Sequence, residues 1–502
     1  MGRITAVISC ALGALSLAGA ASGASTFGVT DDAAKYALDG GAAFFPMMRD
    51  LGLSENAMTV TWDPTSPLTI PEKAFLDRVV PQATARGVRL IFVVQPRQAA
   101  SIGRSFTTAA QFTAFLQQLA TTYPQVRDFV VGNEPNQPRF WQPQFDENGN
   151  PASPSAYVGL LAGGYDALKG VNPAIRVIGF GLSHRGNDKP DAASNISMSP
   201  VRFLAAAGAA YRASGRTRPI MDDFGFHPYP ANSTDSIDKG AQWPNASVAN
   251  LDRIKQAIWD GFHGTGQPTV EDGLALRVTE VGWQAAVPQG SLAAYTGSEN
   301  VETAAEDVQA DIYGRVVRRL ACDPQVSDVL FFHLIDERAL EGFQSGLMRA
   351  DGSARPAYAA VKQALAETGG RCTGNPVQWR HTTSVVGASL SWKSYKRSSW
   401  ATATAQEDVQ VLSGVVRVSG KGQVSRKAVA RALADGGVPQ VQAIEQSTIK
   451  AYWNRIVKVP KTGLLKGTYV PAVQLSSAVA PERTLLFVGP RFRVAPRFRV
   501  AR

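Results

Sequence analysis

Cysteine is almost missing from this chain of 502 residues, which has three. Cys10 lies near the N-terminus, so Cys322 and Cys372 remain as one possible pair in an oxidising compartment. Two thiols and five scattered histidines make a poor metal site. No glycine-rich phosphate turn follows the first strand-like run, which continues as "GVTDDAAKY" and so argues against a nucleotide-binding open sheet. Beyond the N-terminus no apolar run is long enough to cross a bilayer. With 44% apolar and 18% charged residues, disorder is not the default, and the length suits one large domain plus a smaller one.

Residues 1–25 begin with Arg3, run through an apolar stretch and end in small residues, the grammar of a secretory signal peptide. A secreted, extracellular protein is therefore expected. "VISC" (7–10) resembles a lipoprotein box only loosely, with too little apolar sequence before it. Charge is unevenly divided: from residue 380 to 502 there are 20 Lys/Arg against 5 Asp/Glu, a surplus of 15, although the whole chain carries only +10. The two parts read as different domains with different partners.

Between residues 26 and 367 short β-like runs alternate with amphipathic helical stretches. The strands are "TFGVT" (26–30), "MTVTW" (58–62), "RLIFVVQ" (89–95), "DFVVGN" (128–133), "IRVIGF" (175–180), "MDDFGFH" (221–227), "LRVTE" (276–280) and "VLFFHL" (329–334). Phe112, Phe115, Leu116 and Leu119 recur at helical spacing, as do Val308, Ile312, Val316 and Leu320. Eight βα units predict an α/β fold, a (β/α)8 TIM barrel, with a doubly wound open sheet as the alternative. Beyond "ETGGRCTGNP" the runs "SGVVRVSG", "RIVKVP", "GTYVPAVQL" and "RTLLFVG" predict a small, mostly β, sandwich-like C-terminal domain with one helix at 426–434. The expected division is signal 1–25, barrel 26–370, linker 371–390, β-rich accessory domain 391–490 and basic tail 491–502. The near duplication "RFRVAPRFRVAR" reads either as a hairpin edge or as a frayed tail.

Barrel enzymes gather reactive groups at the C-terminal ends of their strands, so those ends are searched first. Strand four stops at Asn133-Glu134-Pro135, within "VVGNEPNQPRFW", and strand seven stops at Thr279-Glu280, within "TEVGW". Two glutamates thus face one mouth from nearly opposite sides. "GNEPN" and "TEVGW", with "GFHPYP" on strand six and "GLMRADGSARPAYAAVKQAL" near the end, resemble clan A of the retaining glycoside hydrolases, the cellulase and β-xylosidase type, over residues 26–368. That resemblance implies Glu134 as general acid/base, Glu280 as nucleophile and Asn133 as partner of the hydroxyl beside the reacting carbon. It also implies that His227 and Tyr229 hold or polarise Glu280. Such a reaction needs two carboxyls about 5–5.5 Å apart, the acid starting protonated. The clan often carries an arginine on strand two and a tryptophan under the sugar on strand eight, whereas "TVTWDP" and "FFHLIDER" offer Trp62, Asp63, His333 and Asp336.

Each of these residues has a plainer reading. Glutamates at strand ends can bond loop amides, and His227 or His333 can be core histidines satisfied by backbone. Trp62, Trp141, Trp243 and Trp283 can stack on sugar faces or simply pack; Trp141 and Trp283 are favoured for stacking because each closely follows a candidate glutamate. The resemblance implies a retaining hydrolase of a β-linked poly- or oligosaccharide, and the expectation is a monomer with no cofactor, no metal, no nucleic acid and no membrane span. A carbohydrate-binding pseudoenzyme is the alternative. An anionic cell-wall polymer is the expected partner of the basic C-terminal part, against a basic surface with no partner. A Cys322–Cys372 disulfide is expected on the barrel face opposite the site.

Overall fold

The computed structural model describes residues 23–102, 106–419, 424–434 and 441–495. The signal-peptide reading, up to residue 22, and the end of the basic tail lie outside the described residues. Strands β1 (Thr26–Thr30), β2 (Glu55–Trp62), β3 (Arg89–Pro96), β4 (Asp128–Val131), β5 (Arg176–Ser183), β6 (Asp223–His227), β7 (Ala275–Val281) and β8 (Val326–Phe331) close in chain order into a parallel barrel, β8 pairing with β1. The open-sheet alternative is thereby excluded. Helices pack outside: Phe106–Thr122 buries Phe112, Phe115, Leu116 and Leu119 completely. Val308 departs from its expected stripe, since it lies in the first turn of Glu306–Leu320 and stays 43% exposed, while Ile312, Val316 and Leu320 are buried.

Because side chains alternate across a strand, the barrel interior fills in layers. Ala57, Ile91, Val93, Val130, Ile178 and Leu330 form a small apolar core inside it. Below that core, toward the N-terminal rim, the four even-numbered strands contribute Glu55, Asp128, Asp223 and Asp328, all buried. Arg277 from β7 reaches among them, with ion pairs of 2.9 Å to Asp128, 3.0 Å to Asp223 and 3.2 Å to Asp328. Arg89 and Arg176, half-exposed at their strand starts, pair with Glu55 and Asp223 from the rim.

A disulfide joins Cys322, which follows helix Glu306–Leu320, to Cys372, which follows helix Pro356–Thr368. Both lie on the side where β8 begins. Closing a loop across a sequence separation of 50 stabilises by about 4 kcal/mol in the chain-entropy model. Replacing both cysteines by serine is expected to lower the melting temperature and to leave activity below it nearly unchanged. An unchanged melting curve would count against this.

The C-terminal region contains β9 (Ser389–Ser394), β10 (Ser398–Thr404), β11 (Val409–Arg417), β12 (Val441–Ile449), β13 (Arg455–Pro460), β14 (Gly467–Ser477), β15 (Thr484–Val488) and β16 (Phe492–Val494). They form two antiparallel sheets, β13-β10-β9 and β12-β11-β14-β15, with β16 pairing β14. The basic tail therefore begins as a strand edge. Ala401, Ala403, Val411, Val457, Val473 and Leu475 belong to the apolar core of this region. Helix Arg426–Ala434 lies where the sequence places it. The connection from the barrel is tied down: His381 Nδ1 lies 2.7 Å from Glu271 Oε2, and Thr382 N–H donates to Gln256 Oε1 at 2.9 Å. Arg483, buried, pairs with Glu407 at 2.7 Å and with barrel residue Asp260 at 3.1 Å. Burial pushes the Asp260 carboxyl up to about 6, with Arg483 opposing.

Candidate active site

Glu134 owes its position to a turn. After β4 the chain passes through Gly132 at φ +81° and Glu134 itself at φ +36°, a conformation a β-carbon disfavours. The Glu134 N–H is held by Gly181 O at 3.0 Å, and the side chain is thereby carried to the mouth instead of outward into the helices. Glu280 reaches the same place through a register irregularity between β7 and β8 at Val278 to Val281. Leu276 and Val278 face the outer core, so strict alternation would send residue 280 the same way; the irregularity re-aims it, as bulges beside active sites commonly do.

One oxygen of Glu134, Nδ1 of His227 and one oxygen of Glu280 lie within 4.8 Å of one another. His227 Nδ1 is 2.9 Å from Glu134 Oε1 and 3.5 Å from Glu280 Oε2. Tyr229 donates its hydroxyl to Glu280 Oε2 at 2.8 Å. His227, expected to serve Glu280, thus lies between both carboxylates and closer to Glu134. Burial raises the Glu280 pKa, and the Glu134 charge adds to that, while His227 and the Tyr229 hydroxyl oppose it. Burial alone would depress His227, but the Glu280 charge and the Glu134 hydrogen bond raise it above its ordinary value. The same three atoms form a possible metal-holding group, but internal hydrogen bonds already occupy them.

The cluster forms part of the wall of a cleft of about 1400 Å³, which Asn133 and His333 also line. His333 Nδ1 is 2.8 Å from Thr30 O, and its Nε2 is 3.4 Å from Glu337 Oε1. The four tryptophans are absent from the cleft walls. Trp141 and Trp283, expected to stack on sugar, are each 2% exposed and packed edge-on against Tyr157 and Tyr313. Trp283 donates its indole N–H to Asp235 O at 2.9 Å. Trp62 is fully buried against Phe112, and Trp243 packs on the core beneath Arg202. Asp336 is structural as well, accepting from Tyr295 at 2.6 Å and pairing with Arg355. These indoles belong to or pack on the outer core between strands and helices, so the aromatic cleft surface comes from Tyr36, Phe140, Tyr229, Phe332 and Phe343 instead. Phe332 meets Tyr229 and Phe343 edge-on at 6.2 and 5.3 Å.

His184, after β5, also lines the cleft; burial holds it neutral, down to about 3, and neither ring nitrogen has a partner among the described residues. Neither it nor Phe332 and Phe343 stood out in the sequence, because one residue of parity at a strand end separates a core side chain from a cleft side chain.

Removing the Tyr229 hydroxyl has a definite sign. The nucleophile role that the resemblance implies for Glu280 needs an ionised carboxylate, and Tyr229 lowers its pKa; in that role Tyr229→Phe is expected to move the acidic limb of kcat/KM upward by about one to two pH units, the worth of a charge-assisted hydrogen bond. A limb left in place, measured across the full pH profile, would remove Tyr229 from this role.

No family model matches the chain, and no curated protein matches it. Among solved structures the chain is similar to a family 39 glycoside hydrolase from Bacteroides cellulosilyticus, at 15% identity over 84% of this chain and 78% of that one, TM-score 0.44. It is similar to a monomeric beta-xylosidase from Caulobacter crescentus, at 15% identity over 87% and 93%, TM-score 0.43. A family 5 glycoside hydrolase from Streptomyces cattleya in complex with GlcNAc is similar at 15% identity over 72% and 84%, TM-score 0.47. At such identities the functional reading rests on the geometry of the site.

Proposed function

We propose that the chain is an exported retaining glycoside hydrolase that cleaves a β-linked glycan by double displacement. The observation that carries this reading is the pair Glu134 and Glu280, at the ends of β4 and β7, with carboxylate oxygens within 4.8 Å in one open cleft. Inverting enzymes hold their carboxyls about 6.5–9.5 Å apart to admit a water, and nearest oxygens within 4.8 Å favour the shorter, retaining spacing. Glu280 attacks the anomeric carbon while Glu134 donates a proton to the departing oxygen. The glycosyl–Glu280 ester is then opened by water, from which Glu134 takes the proton.

His227 and Tyr229 keep the two carboxyls distinct. Tyr229, its own pKa raised by burial and by Glu280, stays a neutral donor to the nucleophile. His227 holds its Nδ1 against the acid/base. The test is a panel of aryl β-glycosides followed by proton NMR of the first sugar released. A β-anomer appearing first supports the retaining reading, an α-anomer overturns it, and no release from any glycoside favours a binding barrel without turnover.

A further inference from the structure

The outer face of sheet β13-β10-β9 carries a second arrangement of aromatic rings and charge. Register places Lys393 of β9 and Lys458 of β13 on either side of Trp400 of β10. All three project from one face, because Trp392, Ala401 and Val457, on the opposite parity, belong to the core. Both lysines are exposed and Trp400 is half-buried. Tyr395, in the turn before β10, is 47% exposed, with its ring 5.0 Å from that of Trp400 and tilted by 55°. The Trp400 Nε1–H is already donated to Ser398 Oγ at 3.0 Å, so the indole offers its apolar face outward. Lys396 and Arg397 extend from the same turn. Among the described residues no carboxylate pairs with Lys393, Lys396, Arg397 or Lys458.

Uncompensated cations repel one another, and exposed rings hold apolar area in water. A ligand carrying both anionic groups and flat rings relieves both. The lysines sit one strand spacing, about 4.8 Å, on either side of the indole, so charge and stacking alternate on the scale of a single ring. We propose that this face binds a carboxylate-bearing polysaccharide, its sugar rings on Trp400 and Tyr395 and its carboxylates at Lys393 and Lys458. The choice of a glycan over another polyanion rests on the glycosidase reading. Asp31, Asp32, Glu302, Glu337 and Glu341 line the cleft beside the catalytic pair and outnumber its arginines, Arg139, Arg185 and Arg338, so the net sign of the cleft opposes this polymer. The bound polymer is thus an anchor, and the glycan hydrolysed is a different, uncharged or cationic one.

Binding of the full chain to polygalacturonate is measured by affinity electrophoresis and calorimetry at low and moderate salt, with dextran as the neutral polymer and oligothymidylate as the nucleic acid. Lys393→Gln/Lys458→Gln and, separately, Trp400→Ala are each expected to weaken polygalacturonate binding at least about tenfold. The double lysine variant should also lose much of the salt dependence. Lys73→Gln/Lys362→Gln, which removes the same charge from the barrel surface, should change binding less than about twofold. Equal loss in that control, equal binding to dextran, or hydrolysis of polygalacturonate overturns the proposal. So does oligothymidylate binding that is tighter and lost in the same variants. Aryl glycoside turnover, read on the same samples, is expected to stay unchanged. Binding without turnover leaves this face standing and removes the glycosidase reading; turnover without binding does the reverse.

Discussion

Glu280→Gln is expected to lower turnover of every aryl β-glycoside by roughly 10⁴- to 10⁶-fold, whatever the leaving group, because no covalent intermediate forms without the nucleophile. Glu134→Gln should behave differently. With a poor leaving group, which needs a proton, the loss is about 10²- to 10⁴-fold, the usual worth of general acid catalysis. With a dinitrophenyl leaving group, which departs unaided, the first step survives and a burst precedes a slow steady state, since water then lacks its base. Azide, which needs no base, should restore turnover in Glu134→Ala and yield a β-glycosyl azide. Identical profiles for the two variants across leaving groups would dissolve the assignment of roles, although both side chains line the same cleft.

The barrel was legible because its strands are apolar on both faces and its helices carry regular stripes. All eight expected runs overlap observed strands, with errors at the edges that have physical causes. β2 starts at Glu55, three residues before the expected run, because Glu55 and Asn56 look like loop residues until the buried charge layer that receives Glu55 is seen. β5 continues to Ser183 past a register shift at Phe180 to Leu182. In the C-terminal region β9 and β10, "SLSWKS" and "SSWATAT", passed unread because serine, threonine and alanine fill most of their positions. The candidate glutamates were found at strand ends, where a chemical type and a topological position coincide. Phe332 and Phe343 were not, since Phe331 is fully buried and its neighbour Phe332 lines the cleft. Trp141 and Trp283 misled for the same reason: nearness in sequence to a catalytic candidate says nothing of which way an indole turns.

The charge layer at the N-terminal rim was the least legible feature, because its members are single residues on different strands. It nonetheless carries the largest expected effect on stability. Arg277, 4% exposed, faces Asp128, Asp223 and Asp328, each 3% exposed or less. Glu55 beside them is pushed well above the usual carboxylate range, by burial first and then by the charge of Asp328. Removing the cation leaves four buried carboxylates with only the half-exposed Arg89 and Arg176 at the rim to offset them. Breaking a buried ion pair by deleting one partner costs about 3–5 kcal/mol, far more than the pair contributes over a well-packed apolar substitute. Arg277→Met should therefore destabilise the barrel by about that amount, read as a shift of the denaturant midpoint at constant slope. Arg277→Lys, which keeps the charge but not the three-way fork, should lose less. Adding Asp128→Asn and Asp223→Asn to Arg277→Met should recover part of the loss, since it neutralises two carboxylates that have lost their buried counter-ion. Measuring these variants as a cycle separates coupling from packing: additive losses, with no recovery in the combined variant, would mean that Arg277 acts by its bulk and not as the counter-ion of the layer.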